Sequence, residues 1–406
     1  MTHSLVTDPV TVPSDFLGMN LITYPISGNN PVGKIKWGQV RLTLTAQARW
    51  ATIETSSGVY SAAALAELDQ IVSFHRQNGA TVMLGLYATP VFYAQTFNNP
   101  TVADNLVRGP WFLLGECSHP TSMSAVTAYV SMMVSRYNLP GGAWFDANGG
   151  VKGIQLWELW NEPHMDTLGN RRTAAGQQET STYYWGTPGQ MIDLMQTQYQ
   201  AIKALDESIV ITTPGIGNQT GPSGPLKALM TTVGTSTGAV GSDTFDAVNW
   251  HPYFAGPPVR QYGDWGGWYR GDIVTGVVGA ATYKNWLSAN GYEKDMLIGE
   301  WGIDSVAGTP SVLAWYRESA DFRYKWIARI MMASAALGVK SFHPWLWTQT
   351  SDTTGNSGNW DGDVTGVQKA YNDFADHVSG KTIVSASYIE GGEVSLSFLD
   401  GSSWTV

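Results

Sequence analysis

Apolar runs of strand length recur along most of the chain, and longer amphipathic stretches separate them. Short apolar runs between turn signals are typical of buried strands, whereas longer stretches with a helical repeat are typical of surface helices. The pattern predicts strands over Phe16–Ile22, Trp37–Leu44, Ala80–Ala88, Gly153–Trp160, Ile209–Pro214, Asp246–Tyr253, Asp295–Trp301 and Val339–Trp347. It predicts helices over Ser61–Asn78, Ser122–Tyr137, Pro188–Asp206, Thr275–Asn290 and Pro310–Leu337.

Strands that alternate with helices favour parallel βαβ units, and eight such strands predict an α/β fold of the (β/α)8 TIM barrel class over residues 1–380. Two connections are irregular, because the first predicted helix is short or absent and Pro90–Pro120 is long enough for an extended loop. An open doubly wound sheet is the alternative, but no glycine-rich phosphate loop follows the first strand.

The last part of the chain has a different pattern. Thr382–Ile389 and Glu393–Leu399 alternate apolar and polar residues, and Glu390-Gly391-Gly392 lies between them. This is typical of a β hairpin or meander, which is too short to fold alone. We expect residues 381–406 to form a C-terminal β extension that packs on the barrel or begins an accessory β domain.

Composition excludes several classes of protein. Charged residues make up 14% of the chain, and 23 Lys and Arg face 33 Asp and Glu, for a net charge of −10. Disorder requires few aromatic residues and much charge, and nucleic-acid binding requires clustered basic residues. Neither applies to a chain with 18 Trp, and no apolar run has the length of a membrane span. We therefore expect no nucleic-acid partner and no membrane span.

Cysteine usage and the N-terminus bear on the compartment. The chain has 1 cysteine, Cys117, so an intramolecular disulfide and a thiolate metal cluster are excluded. No signal peptide is recognisable in the sequence as given. Low charge with abundant Gly, Ser, Thr and Trp suggests an extracellular or secreted protein that faces polysaccharide, and we expect it to be a monomer.

Two glutamates stand where a barrel enzyme would carry its chemistry. Barrel active sites lie at the C-terminal ends of the strands. Glu162 follows the fourth predicted strand and Glu300 ends the seventh. A charge at the end of an apolar strand is costly unless it faces a polar site. Two such carboxylates suggest glycoside hydrolysis, in which one acid protonates the leaving oxygen and the other attacks the anomeric carbon or activates water.

Glu158 serves as an internal comparison. It precedes Glu162 by four residues in the same predicted strand and therefore lies about 13 Å lower. That position predicts a buried, hydrogen-bonded acid that cannot act in place of Glu162.

The ordered set of motifs at these strand ends resembles the clan A glycoside hydrolases, which are retaining (β/α)8 enzymes, and is most similar to the family 39-like and family 5-like endoglycosidases. The motifs are Trp160-Asn161-Glu162-Pro163, Ile298-Gly299-Glu300-Trp301-Gly302, His251-Pro252-Tyr253, Val40-Arg41-Leu42, and Trp50-Ala-Thr-Ile-Glu54 with Gly58-Val-Tyr60. The resemblance spans about residues 16–347. The third strand departs from the family 5 pattern, since it ends in Tyr87 where that family often has a histidine.

The resemblance implies catalytic roles. Glu162 would be the general acid and then the general base, and Glu300 the nucleophile of a double displacement. Arg41 would hold Glu300 ionised and oriented, Tyr253 would donate to Glu300, Asn161 would bind the sugar 2-hydroxyl, and His251 would bridge toward Glu162.

Residues after the strands are candidates for substrate binding. A flat aromatic side chain exposed on the top face of a barrel can stack on a sugar ring or pack under a loop. The candidates are Trp345, Trp347, Trp301, Tyr87, His164, Trp265 and Trp268. A zinc site made of His164, His251 and His343 lacks the usual ligand spacing, so we expect no metal and no cofactor.

These observations predict a retaining β-glycoside hydrolase that cuts within a polysaccharide or oligosaccharide. Aromatic residues spread over several loops favour a cleft with several sugar subsites. One alternative is an exo-β-glycosidase, such as a β-xylosidase-like enzyme, with the same catalytic residues. Another is a non-catalytic carbohydrate-binding protein, against which the presence of both glutamates argues.

Overall fold

The structure is a computed structural model that describes residues 2–6, 8–20, 36–43, 45–94, 116–163, 171–172, 178–179, 184, 186–217, 222–254, 273–303, 320–344, 366–389 and 393–406. The chain divides into two compact units. The terminal unit comprises Met1–Asn20, Pro25–Val40 and Trp250–Val406, and the central unit comprises Leu21–Tyr24 and Arg41–Asn249.

The strands and helices follow the predicted alternation. The strands are β1 (Thr2–Ser4), β2 (Val10–Thr11), β3 (Gln39–Arg41), β4 (Glu54–Ser56), β5 (Val59–Tyr60), β6 (Thr81–Gly85), β7 (Leu156–Glu158), β8 (Arg171–Arg172), β9 (Gln178–Glu179), β10 (Val210–Thr212), β11 (Ile216–Gly217), β12 (Ala247–His251), β13 (Tyr253–Phe254), β14 (Asp295–Ile303), β15 (Phe342–Pro344), β16 (Thr382–Ile389), β17 (Val394–Phe398) and β18 (Ser403–Thr405). The α-helices are α1 (Trp50–Ile53), α2 (Ala62–Gln77), α3 (Met123–Asn138), α4 (Ala143–Ala147), α5 (Pro188–Lys203), α6 (Lys227–Thr231), α7 (Ile273–Ala289), α8 (Ala320–Ala336) and α9 (Gly366–His377).

The central unit contains β6, β7 and β10 with the last residue of β3 and the first three residues of β12, and these parallel strands follow the order β3, β6, β7, β10 and β12. The pairing registers are regular, because Leu156, Trp157 and Glu158 of β7 face Met83, Leu84 and Gly85 of β6. Leu68, Ile71 and Val72 of α2 and Val130, Met133 and Val134 of α3 are buried on the helical side. Capping residues define the helix starts: Ser61, Ser122 and Thr187 accept from backbone N–H groups of α2, α3 and α5.

The terminal unit contains the remaining parallel strands. β14 lies between β12 and β15. Leu17 forms a parallel bridge to Phe342 of β15, and the Leu17 carbonyl accepts from the N–H of Gln39 in β3. In the described part of the first predicted strand, Phe16–Ile22, Leu17 and Asn20 are bridge residues. Parallel strands alternating with helices make this the predicted (β/α)8 barrel.

The C-terminal sheet is antiparallel and larger than the predicted hairpin. β16, β17 and β18 form a meander, and β1 and β2 from the N-terminus both pair with β16. Ile383, Val394, Leu396 and Phe398 of this sheet are buried. No helix in the described part of the chain is long and apolar enough to cross a membrane.

Candidate active site

A strained turn follows β7 at the motif that contains Glu162. Trp160 has φ 83° and Glu162 has φ 40°, and few residues other than glycine adopt such positive values. The Trp160 ring is held between Tyr87 and Tyr184, with centroids 5.0 and 5.5 Å away. Strained backbone of this kind persists when the surrounding packing fixes it, and it concentrates at functional sites. The turn places Asn161 and Glu162 immediately beyond the end of the strand.

Glu158 lies in the last position of β7 and is fully buried. Its Oε2 accepts from Arg41 Nε at 2.7 Å and from the Thr43 hydroxyl. Its Oε1 accepts from Arg41 Nη2 at 2.8 Å, Asn249 Nδ2 at 2.9 Å and the Gly215 N–H at 3.1 Å. We call Arg41, Thr43, Glu158, Asn161, Gly215 and Asn249 the Glu158 cluster. These contacts confirm the prediction that Glu158 is a buried, hydrogen-bonded acid.

Arg41 joins Asn161 to this cluster. Its Nη2 donates to Asn161 Oδ1 at 2.9 Å as well as to Glu158. The guanidinium is 1% exposed and Asn161 is 2% exposed, so both are held in a dry environment. The charge of Arg41 is therefore balanced by Glu158 within the central unit. The implied contact between Arg41 and Glu300 remains a prediction.

Glu300 lies in β14 within the terminal unit and is 3% exposed. His251, the last residue of β12, has its Nδ1 3.6 Å from Glu300 Oε2 and is fully buried. This distance allows an electrostatic interaction with the carboxylate but exceeds that of a hydrogen bond. The imidazole thus lies beside Glu300, whereas its implied contact with Glu162 remains a prediction.

Two polar side chains hold the backbone on the N-terminal side of Glu300. Asn20 Nδ2 donates to the carbonyls of Gly299 and Pro344, both at 2.9 Å. His343 Nδ1 lies 3.0 Å from the Ile298 carbonyl and must carry the proton, because a carbonyl only accepts. We call Asn20, His251, Ile298, Gly299, Glu300, His343 and Pro344 the Glu300 group. It links β14 to β15 and to the segment after Leu17.

A glycine makes room for His343. A Cβ on Gly18 would lie 1.9 Å from His343 Cδ2, which is far inside contact distance. The ring is also fully buried. Gly18 therefore fixes the position of His343 by close approach, and His343 in turn holds the strand that carries Glu300.

The predicted aromatic sites have different outcomes. Trp301 is 0% exposed and packs on Phe342 and Trp326, with centroids 4.9 and 6.0 Å away, so it is a core residue and its predicted stacking on a sugar is corrected. Tyr87 is 1% exposed and packs on Trp160, so its predicted role in substrate binding is also wrong. Its ring instead supports the turn that contains Trp160. The candidates Trp345, Trp347, His164, Trp265 and Trp268 lie outside the described residues, as does the side chain of Tyr253. Their roles stay predictions.

His251 and Glu300 of the terminal unit each offer one ligand atom that could hold a metal ion. The expectation that the protein uses no metal and no cofactor remains a prediction.

Comparison with solved structures identifies proteins of the same fold. A glucosidase from Croceicoccus marinus is 14% identical, with a TM-score of 0.58, and the match covers 100% of this chain and 83% of that one. A monomeric beta-xylosidase from Caulobacter crescentus CB15 is 16% identical, with a TM-score of 0.60, and the match covers 95% of this chain and 74% of that one. A GH30 endoxylanase from Clostridium papyrosolvens C71 is 12% identical, with a TM-score of 0.52, and the match covers 96% of this chain and 82% of that one.

These similarities show a shared (β/α)8 fold of the kind found in clan A glycoside hydrolases. No family model and no curated protein matches the sequence.

Sequence reasoning missed several residues of the site. Asn20, Thr43 and Asn249 are polar side chains within otherwise apolar strand segments, and all three are buried. A polar residue within an apolar strand segment predicts a buried hydrogen bond, because a buried polar group must find a partner. Gly215 and the carbonyls of Ile298 and Gly299 take part through their backbone, which no residue type reveals.

Proposed function

We propose that this chain is a retaining β-glycoside hydrolase that cuts within a polysaccharide by double displacement. Glu162 is the acid/base residue and Glu300 the nucleophile. The observation that carries the proposal is the position of the two carboxylates on barrel strands: Glu162 follows β7 on a strained turn, and Glu300 lies in the C-terminal half of β14 beside His251. Barrel enzymes place their reacting groups at the C-terminal ends of the strands.

The proposed first step forms a covalent glycosyl-enzyme. The Glu300 carboxylate attacks the anomeric carbon, the glycosidic bond breaks, and Glu162 gives its proton to the leaving oxygen. In the second step Glu162 takes a proton from water, the water oxygen attacks the anomeric carbon, and Glu300 leaves as a carboxylate. The two inversions together retain the β configuration.

Supporting residues serve this reaction in the proposal. His251 lies 3.6 Å from the carboxylate of Glu300 and contributes to its electrostatic environment. Asn161 donates to the sugar 2-hydroxyl, a contact that strengthens in the transition state. Arg41 and Tyr253 complete the set of orienting residues.

Proteins of the same fold support a saccharide substrate, because they are described as a glucosidase, a beta-xylosidase and an endoxylanase. The low charge and the 18 tryptophans of the chain favour a neutral polymer, which offers hydroxyls and apolar ring faces. We propose an extracellular, monomeric enzyme with Trp345, Trp347, His164, Trp265 and Trp268 as substrate-binding candidates.

A polysaccharide panel tests the proposal. Xylan, mixed-linkage β-glucan, cellulose and mannan are incubated with the wild type and with Glu300→Ala, Glu162→Ala and Glu67→Ala. Glu67 lies exposed on α2, so its replacement is a matched control and is expected to keep full activity. Reducing ends and the lengths of the products are followed over time.

Endo cleavage predicts early oligosaccharides and rapid shortening of long chains, with both catalytic variants inactive. Monosaccharide released first, without shortening of long chains, would replace endo by exo action. Tight binding to a polymer without release of reducing ends would indicate a carbohydrate-binding protein instead.

A further inference from the structure

The Glu158 cluster contains an acid that takes no part in the two proposed catalytic steps. Glu158 receives five hydrogen bonds from the four side chains and backbone groups described above. The donors belong to three different chain segments, around residues 41–43, 215 and 249, and the acceptor Glu158 lies in a fourth, β7. A network that joins so many segments fixes the relative positions of their side chains.

The hydrogen bonds of Arg41 determine which way the Asn161 amide faces. A guanidinium only donates, so the Asn161 atom at 2.9 Å from Arg41 Nη2 must be the oxygen. The two hydrogens of Nη2 point to Glu158 Oε1 and to Asn161 Oδ1. The Nδ2 group of Asn161, with its two N–H donors, consequently faces away from Arg41.

Arg41 is itself fixed by Glu158. Arg41 Nε and Nη2 bind the two carboxylate oxygens at 2.7 and 2.8 Å, which is a bidentate pair of defined geometry. The side chains of Glu158 and Arg41 are 0% and 1% exposed, so water does not compete for their hydrogen bonds. Without the Glu158 carboxylate, the guanidinium of Arg41 would no longer be held in one orientation. The Asn161 oxygen would then no longer be fixed as its hydrogen-bond acceptor.

We propose that Glu158 is a positioning residue that acts through Arg41 to present the Asn161 amide N–H groups to the substrate 2-hydroxyl. This inference rests on the proposed glycosidase function. It assigns the 2-hydroxyl contact to a three-residue relay, Glu158 to Arg41 to Asn161, rather than to Asn161 alone.

The kinetic test compares two probes, the 2,4-dinitrophenyl β-glycoside that the wild type turns over and its 2-deoxy counterpart. The readout is the ratio of kcat/KM for the two probes, because a general loss of folded enzyme lowers both values equally. The variants are Glu158→Gln, Arg41→Lys and Asn161→Ala. Thr244→Val is the matched control, since Thr244 is also a buried threonine of the central unit whose hydroxyl donates a hydrogen bond, but to the Gly241 carbonyl and not to Glu158.

The proposal predicts a large ratio for the wild type and for Thr244→Val, and a ratio at least tenfold smaller for Glu158→Gln, Arg41→Lys and Asn161→Ala. A wild-type ratio in Glu158→Gln and Arg41→Lys, with a collapsed ratio in Asn161→Ala, would overturn the relay and leave the glycosidase function intact. A ratio lowered equally by Thr244→Val would also overturn it, because the effect would then be one of general packing.

A second measurement works without turnover. Asparagine-selective 15N labelling resolves the side-chain amide signals, and Asn161→Ala assigns the Asn161 pair. The relay predicts that this pair shifts in Arg41→Lys and Glu158→Gln and stays in place in Thr244→Val. An unmoved pair in the first two variants overturns the relay even if no glycoside is hydrolysed, so its failure is distinguishable from failure of the proposed function.

Discussion

The Glu158 cluster and the Glu300 group are two ways of holding a buried carboxylate on a barrel strand. In the central unit the contacts are made to the carboxylate itself, whose oxygens receive five hydrogen bonds. In the terminal unit Asn20 and His343 hold the backbone carbonyls of Gly299 and Ile298, just before Glu300. An acid surrounded by donors is stabilised as a charge and is poorly available for bonding to anything else. These two side chains anchor the strand on the N-terminal side of Glu300, and the His251 imidazole lies beside the Glu300 carboxylate.

This difference in partners is informative because neither the flanking residues nor burial distinguishes Glu158 from Glu300. Both follow apolar strand residues, and both are buried, at 0% and 3% exposure. The partners therefore indicate the role more directly than burial does. A carboxylate that receives five hydrogen bonds is suited to positioning its donors, whereas an acid beside an imidazole, on a strand anchored by its neighbours, is suited to chemistry.

The largest expected effect is on activity. Glu300→Gln should lower kcat/KM by about 10⁴-fold or more, because the variant removes the proposed nucleophile while keeping its shape. Its free energy of unfolding should stay within about 1 kcal/mol of the wild type, since the variant leaves the backbone anchors intact. Hydrolysis of a β-glycoside and urea unfolding measure the two quantities. A variant that is strongly destabilised yet still active would make Glu300 a structural acid like Glu158.

The next effect is on stability. Glu158→Ala should lower the free energy of unfolding by about 3–5 kcal/mol, because it leaves the Arg41 guanidinium buried without its carboxylate. Urea unfolding at neutral pH measures the loss. A loss below about 1 kcal/mol would show that the ion pair is replaceable, which would contradict the contrast between the two carboxylates.

Two glycines provide a smaller, matched test. A Cβ on Gly18 would meet His343 at 1.9 Å, and a Cβ on Gly85 would meet Thr43 Cγ2 at 2.4 Å. Each Gly→Ala change overpacks its site and should cost about 1–3 kcal/mol. Gly18→Ala should also lower kcat, because His343 holds the carbonyl two residues before Glu300. If Gly18→Ala and Gly85→Ala lower the kcat of the folded enzyme equally, the contacts around Glu300 and those around Glu158 do not differ in their effect on catalysis.

The smallest effect concerns pH and belongs to the central unit. Burial lowers the pKa of His75 to about 4 from its ordinary value of 6.5. A depressed histidine pKa favours the neutral folded form, so its stabilising contribution is present above pH 6.5 and is lost as the pH falls toward 4. Between pH 7 and 5.5 the loss is about 1 kcal/mol.

Urea unfolding at the two pH values measures this loss in the wild type and in His75→Leu. The variant should show a fall that is about 1 kcal/mol smaller. Burial also lowers the pKa of His119 to about 4, so part of the dependence should remain in the variant. An identical fall in both proteins would refute the contribution of His75.

Much of the fold could be predicted because periodicity is a local property. The predicted helix Ser61–Asn78 corresponds to α2 (Ala62–Gln77), and the predicted strand Asp295–Trp301 corresponds to β14 (Asp295–Ile303). β16 begins and ends where it was predicted to. Its pairing with β1 and β2 could not be predicted, since these segments lie more than 370 residues away in the chain and a strand pattern does not name its partner.

The candidate site was predictable in its residue types and less so in its contacts. Glu158 was expected to be buried and hydrogen-bonded, but the pairing of Arg41 with it depends on how two distant strands align. The positive φ of Trp160 also has no local signal, because tryptophan is a poor residue for that conformation and packing on Tyr87 and Tyr184 holds it there. Trp301 shows the opposite failure, since its position beside Glu300 suggested substrate contact while its ring belongs to the core.

Trapping of the covalent intermediate tests the proposed role of Glu300 as the nucleophile. The wild type is incubated with the 2,4-dinitrophenyl 2-deoxy-2-fluoro-β-glycoside of the sugar it hydrolyses, and the digested protein is analysed by mass spectrometry. We expect stoichiometric labelling of a single peptide, with the sugar bonded to Glu300. Hydrolysis of β-glycosides without such labelling, or a label on any other carboxylate, would contradict it.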